Sequence, residues 1–201
     1  MSELSVLQAV RFKGRPSEAD IVATLDEEPA DVAATLAQLT AAGLLVLEKA
    51  VRISLEGRER LNALLAEERS AIDQKSLAGA YSDFRVVNSE FKALVLDWQV
   101  KDGQPNSHED ADYDAAIVNR LDNVHQKVLP VLAAVITLLP RLSGYVGKLN
   151  SSLAKVKAGE TIWFSRPSID SYHTVWFELH EELIAASGLS REDEARAGHA
   201  G

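Results

Sequence analysis

Hydrophobic positions in the first 70 residues come in short bursts whose period changes along the chain. Leu4, Val6, Leu7 and Val10 share one helical face, and Gly14-Arg15-Pro16 stops that helix. Ser17 predicts an N-cap for a short helix carrying Ile21, Val22 and Leu25, with Glu18 and Asp20 near its positive end. After the turn Asp26-Glu27-Glu28-Pro29, a third helix is marked by Val32, Leu36 and Leu39, and Gly43 suits the position just past its end. Leu44–Leu47 and Val51–Leu55 are β-rich, which predicts two strands joined by Glu48-Lys49-Ala50. Alternation of Leu44, Val46, Ile53 and Leu55 predicts the hairpin face that lies on the helices. Helical spacing returns with Leu61, Leu64 and Leu65, in a segment from Glu56 to about Ser70.

From residue 71 onward the spacing is helical only. Leu77, Tyr81, Phe84, Asn88, Phe91, Val95 and Trp98 alternate intervals of four and three, an a/d seam with one polar member. A polar connection, Lys101 to Asp112, precedes a helix marked by Ile117, Leu121, Val124, Val128, Leu132, Val135 and Leu139, with a kink predicted at Pro130. Pro140 opens the next helix, whose apolar side includes Leu142, Tyr145, Leu149 and Val156, and Ala158-Gly159-Glu160 closes it. The last helix is predicted to start near Ser165-Arg166-Pro167 and to carry Ile169, Tyr172, Trp176, Leu179 and Leu183. The tail, Arg191 to Gly201, is small and charged and is expected to fray. Because no linker rich in proline or glycine intervenes, Glu56 to about Lys101 is readable as one continuous helix.

Helix, helix, turn, helix, hairpin, helix is the order of a winged helix-turn-helix. Two phrases strengthen that reading: Ala33 to Leu45, of the form AxxLxxLTAAGLL, and ISLEGRERLNALL from Ile53 to Leu65. With them the chain resembles the multiple-antibiotic-resistance-regulator (MarR) type of bacterial winged helix over roughly residues 4–70. The expected fold class is therefore mainly α, a winged helix-turn-helix in residues 1–70 followed by an all-helical bundle in residues 71–201. The resemblance implies a cytoplasmic transcriptional regulator that binds double-stranded DNA as a homodimer. In that family the third helix enters the major groove and the hairpin tip touches the minor groove. The residues set to make contact here are Thr35 and Gln38 on the third helix, Lys49 and Arg52 in the wing, and Arg15 nearby.

Charge changes this picture. The chain has 21 Lys+Arg against 30 Asp+Glu, a net charge of −9, which argues against a general nucleic-acid coater. The third helix itself contains no Lys or Arg, and Asp26, Glu27 and Glu28 stand just before it. A non-enzymatic adaptor, using the winged helix and bundle on a protein partner without touching DNA, is therefore the alternative.

In the helical part, Trp98, Trp163, Phe164, Trp176 and Phe177 form either a small-molecule effector pocket or simply core. Polar contacts to such an effector would come from Asn88, Tyr81, Arg166, Tyr172 and His173. His173 and His180, seven apart on one helix, are too distant to share a metal and are expected to be structural. Asp110-x-Asp112-x-Asp114 imitates the start of a calcium loop, but Ala115 and Leu121 stand where glycine and glutamate are required, so a turn with an N-cap is expected. With no cysteine, no glycine-rich phosphate loop and no serine beside a base, neither an enzyme nor a cofactor is expected. No apolar run approaches a membrane span, and MSELSVLQAVRF lacks the features of a signal peptide.

Overall fold

Ser2 starts the first helix by accepting the Ser5 N–H at 3.1 Å, and side-chain caps of this kind open several of the later helices. The computed structural model describes residues 2–198 and is mainly helical, with two short antiparallel hairpins. It divides into two compact units, one reaching to Ala71 and the other beginning at Ile72.

In the N-terminal unit, α1 (Glu3–Lys13) ends at Gly14, whose φ of 75° suits a residue without Cβ. A capping box between Ser17 and Asp20 opens α2 (Glu18–Leu25), and Pro29 occupies the first turn of α3 (Pro29–Ala41). That helix ends in a Schellman motif: Gly43 is at φ 75°, and the Leu44 N–H returns to the Leu39 carbonyl at 2.9 Å. Strands β1 (Leu45–Leu47) and β2 (Val51–Ile53) pair antiparallel, with Leu45 opposite Ile53. The expected alternation is displaced by one residue in β1 and keeps its parity in β2. Leu45 and Val51 are the buried positions, whereas Val46, Leu47 and Leu55 are exposed. Leu44 closes α3 instead of joining the strand, and Leu45, paired opposite Ile53, takes the inward position. Helix α4 (Leu55–Ala71) is capped by Ser54, whose hydroxyl accepts the Gly57 N–H at 2.9 Å and donates to the Gly43 carbonyl at 2.7 Å. Arg60 on α4 holds Glu3 of α1 through two hydrogen bonds of 3.1 and 2.9 Å. The core of this unit is Val6, Leu7, Val10, Ile21, Val32, Leu36, Leu39, Leu45, Val51, Leu61 and Leu65.

The expected continuous helix from Glu56 to Lys101 is two helices. Asp73 turns its carboxylate onto the Lys75 and Ser76 N–H groups and so begins α5 (Gln74–Gln99) afresh. All seven seam residues of α5 are buried. Beyond it, the expected polar connection contains a hairpin of β3 (Val100–Lys101) and β4 (Gln104–Pro105), turned by Asp102 and Gly103 at φ 52° and 75°. Asn106 secures the hairpin, donating its side-chain amide to the Trp98 carbonyl at 3.1 Å and to the Asp114 carboxylate at 3.0 Å. Helix α6 (Ala111–Leu138) runs through Pro130 without ending. Pro140–Leu142 forms only a 3-10 turn, so α7 spans Gly144–Lys157. The predicted last helix starts later than expected, as α9 (Tyr172–Ala186), because Ser171 caps it by accepting the Thr174 N–H, and a one-turn α8 (Ile162–Ser165) precedes it. Up to Gly198 the tail carries a helix, α10 (Arg191–Arg196), opened by a Ser190–Asp193 capping box; residues 199–201 lie outside the described ones. Helices α5, α6, α7 and α9 share one apolar core, on which Phe164 of α8 also packs. Among the described residues, no helix is long and apolar enough to cross a membrane.

Candidate functional site

Two surfaces carry the sequence-predicted site residues, one in each unit. In the N-terminal unit the Val51 N–H donates to the Pro16 carbonyl at 2.9 Å. This bond holds the α1–α2 turn against the hairpin, so the backbone next to Arg15 meets that next to Arg52, and the exposed Lys49 stands on the same hairpin. Arg52 is engaged by Glu48 at 3.2 Å, but both side chains are exposed and the pair is weak. On α3, Gln38 is exposed. Thr35 is half-buried and donates its hydroxyl to the Asp31 carbonyl one turn back, at 2.9 Å. The remaining exposed face of α3 is Ala30, Asp31, Ala34, Ala37 and Ala41, preceded by the exposed Asp26, Glu27 and Glu28.

The expected aromatic pocket of the helical unit is dispersed. Trp98 is buried and stacks on Phe164 with centroids 4.2 Å apart, while Trp163 lies under the Lys155 ammonium at 3.4 Å. Arg166 is exposed and donates to the Ser168 hydroxyl at 3.2 Å. Tyr172 is buried, its hydroxyl 3.1 Å from His125 Nδ1. Of the expected pocket residues, Asn88, His173, Trp176 and Phe177 border an open cleft, about 200 Å³ in volume, between α5 and α9. The dispersal has a helical cause: α8 is separated from α9, so Trp163 and Phe164 do not share the phase of Trp176. In the cleft, Trp176 donates its indole N–H to Asn88 Oδ1 at 2.9 Å and stacks on Phe91 at 4.3 Å. Asn88, the polar member of the seam, thus positions the indole.

His180 borders the same cleft and connects it to the C-terminal helix. Its Nε2 lies 3.0 Å from the Tyr81 hydroxyl, which donates to Glu194 Oε2 at 2.7 Å. With that proton committed to the carboxylate, Tyr81 accepts from His180, which fixes the tautomer with hydrogen on Nε2. Arg85 completes the group through Glu194. Burial lowers the His180 pKa to about 4, against a smaller upward pull from the Glu194 carboxylate. Burial also lowers His173 and His125. Asp170, three residues before His173, faces Lys148 at 3.7 Å.

A second interior polar group carries no signal in the sequence. Arg141 pairs with Glu182 at 2.6 Å, both nearly buried. Burial, then the Glu182 and Glu178 carboxylates, drive the Tyr145 phenol far above its usual range. Helix α9 is buried on almost every side, so its glutamates lie inside although they fall off any single apolar stripe.

The acidic run forms a turn with an N-cap. Asp110 caps α6 and pairs with Lys101 at 2.6 Å, whereas Asp114 turns to His108 at 2.9 Å. Among the described residues, no group of three His, Cys, Asp or Glu is placed to hold a metal. Comparison of the chain with protein-family models, with curated proteins and with solved structures finds no match.

Proposed function

We propose that the chain is a non-enzymatic, cytoplasmic regulator that binds double-stranded DNA through a winged helix in its N-terminal unit, while the helical unit dimerises or senses an effector. The observation that carries this reading is the Val51 to Pro16 bond, which sets Arg15 beside a hairpin bearing Lys49 and Arg52. These three cations supply phosphate contacts, and Gln38 is the residue of α3 suited to an adenine edge. Thr35, whose hydroxyl hydrogen goes to the Asp31 carbonyl, retains lone pairs for a donor on a base edge.

One observation favours the adaptor reading instead. The exposed face of α3 is mostly alanine with Asp31, and Pro29–Ala41 contains no cation. Such a face suits close packing against a protein and repels phosphate.

Fluorescence anisotropy with duplex from upstream of the protein's own gene, titrated at several salt concentrations against a scrambled duplex, separates the two. The regulator reading expects tight binding that prefers the native duplex and weakens steeply with salt. Replacing Lys49 and Arg52 together by alanine is expected to weaken binding to every duplex and to flatten the logarithmic salt slope by about two, one for each phosphate that is no longer neutralised. Equal affinity in that variant would remove the wing from the interface. Binding no tighter than about 10⁻⁴ M and indifferent to sequence is non-specific background, and would favour the adaptor.

A further inference from the structure

Helix α10 is fastened by charge rather than by apolar packing. Glu194 is its buried residue, while Arg191, Glu192, Asp193, Ala195 and Arg196 are exposed. Among the described residues, none of α10 belongs to the apolar core. Attachment therefore gains little from the hydrophobic effect, and the attraction within a buried ion pair is largely offset by its lost hydration. When the helix lifts, water reaches both charges again, so the step is a low-cost local opening. The joint to α9 contains Gly188 at φ 68°, a residue free to change conformation.

The groups that receive Glu194 are built into α5 and α9 independently of α10. Tyr81 is a seam residue, 2% exposed, and the Phe84 ring packs on it at 6.3 Å and on His180 at 5.3 Å. The Arg85 guanidinium lies over the Tyr81 ring at 4.4 Å. Together they aim donors at one point. The Tyr81 hydroxyl accepts from His180 Nε2 at 3.0 Å and donates to Glu194 Oε2 at 2.7 Å. Arg85 donates through Nε to the same oxygen at 3.0 Å and through Nη2 to Oε1. A fork onto both oxygens selects a carboxylate over an amide. A second contact lies one turn earlier on α10, where Arg191 pairs with Glu181 and covers the Phe177 ring at 4.6 Å. The two contacts thus recognise arginine and glutamate three residues apart on one helix face.

We propose that this face of α5 and α9 is a docking site for a helical segment of a partner protein carrying Arg-x-x-Glu, and that α10 occupies it in cis as an intramolecular competitor. The partner's glutamate replaces Glu194 on Arg85 and Tyr81, and its arginine replaces Arg191 on Glu181 and Phe177. The site lies outside the winged helix and requires no DNA, so it stands or falls independently of the regulator reading.

Fluorescence anisotropy of a labelled peptide GLSREDEARAG, the chain's own residues 188–198, titrated with the full chain, tests the site. In the wild type α10 competes at the effective concentration of a short tether, about millimolar, so weak binding is expected. Glu194→Gln weakens the competitor and leaves the receptor intact, and is expected to bind the peptide at least about tenfold more tightly than wild type. Arg191→Ala, at an exposed position where folding is not at stake, is expected to tighten binding by a smaller factor, and it carries the test where Glu194→Gln fails to fold. The same peptide carrying Glu194→Gln is expected to lose the gain on both proteins. Binding by neither variant above the wild-type level, or equal binding of the glutamate and glutamine peptides, would overturn the proposal.

Discussion

Acidification from pH 7 to 4.5 is expected to remove most of about 3 kcal/mol of stability from the helical unit, through His180. Its folded pKa is about 4 against 6.5 for the free side chain. A group depressed in this way binds fewer protons folded than unfolded. Its contribution is therefore complete above about pH 6.5 and is lost as the pH falls toward 4. The depression comes mainly from burial, and His180 is 5% exposed. Among the charged groups around it, Glu194 opposes the shift, while Arg191, Lys92 and Arg85 reinforce it. His125 and His173, also lowered by burial, act in the same direction. The capping carboxylates Asp73, Asp110 and Asp193 are lowered by hydrogen bonds and lose their contribution only below their ordinary value of 3.8, outside this window.

All three tryptophans lie in the helical unit, so urea unfolding followed by tryptophan emission isolates it. His180→Gln keeps a donor for Tyr81 and removes the titration. The variant should show a markedly smaller drop in urea midpoint between pH 7 and 4.5 than the wild type. An equal drop in both would assign the acid sensitivity to other groups.

Gly57→Ala is expected to destabilise the N-terminal unit by about 3 kcal/mol, at the upper end for overpacking. A Cβ there would stand 2.1 Å from the Leu44 carbonyl oxygen and 2.9 Å from Ile53 Cγ1. The obstacle is backbone, and it is already fixed: the Leu44 carbonyl accepts the Ser54 N–H and hydroxyl, both at 3.1 Å. The helix-propensity gain of alanine over glycine, about 1 kcal/mol, acts in the opposite direction and is too small to compensate. Gly79→Ala provides the contrast. It is helical, exposed and has nothing within 4 Å of its Cβ position, so up to about 1 kcal/mol of stabilisation is expected in the helical unit. Far-UV circular dichroism reports both units and tryptophan emission only the second. A dichroism transition shifted to lower urea in Gly57→Ala, with unchanged emission, is the predicted signature. An unaltered dichroism curve would mean that the α4–hairpin junction yields readily.

The Gly57 clash also explains why the ISLEG phrase is compact: Ser54 caps α4, and Gly57 lets the helix lie on the carbonyl that the cap holds. That much is local and was readable in the chain. So were α1 to α3, the hairpin position, the buried seam of α5 and the apolar stripe of α6, because each depends on spacing and on nearby capping residues. Other local signals are present in the chain without having been drawn on: Asp102-Gly103 between short extended pieces, and Ser190 three residues before Asp193.

What the sequence by itself determined is the set of elements: where apolar positions repeat at helical spacing, where serine, aspartate and glycine start and stop each helix, and which residues carry charge. These depend on neighbours a few positions away. Only the tertiary structure decided which groups meet. The inward position of β1 is Leu45, because pairing opposite Ile53 puts those two on one side. The turn carrying Arg15 was tied to the hairpin by a bond from Val51 to Pro16. Trp176 separated from Trp98 and Trp163, and Glu178, Glu182 and Glu194 became interior. A carboxylate 109 positions from Arg85 carries no periodic signal of its partner. Such pairings are set by which surfaces pack together, and the energy of burying a charge is defined only once its surroundings exist.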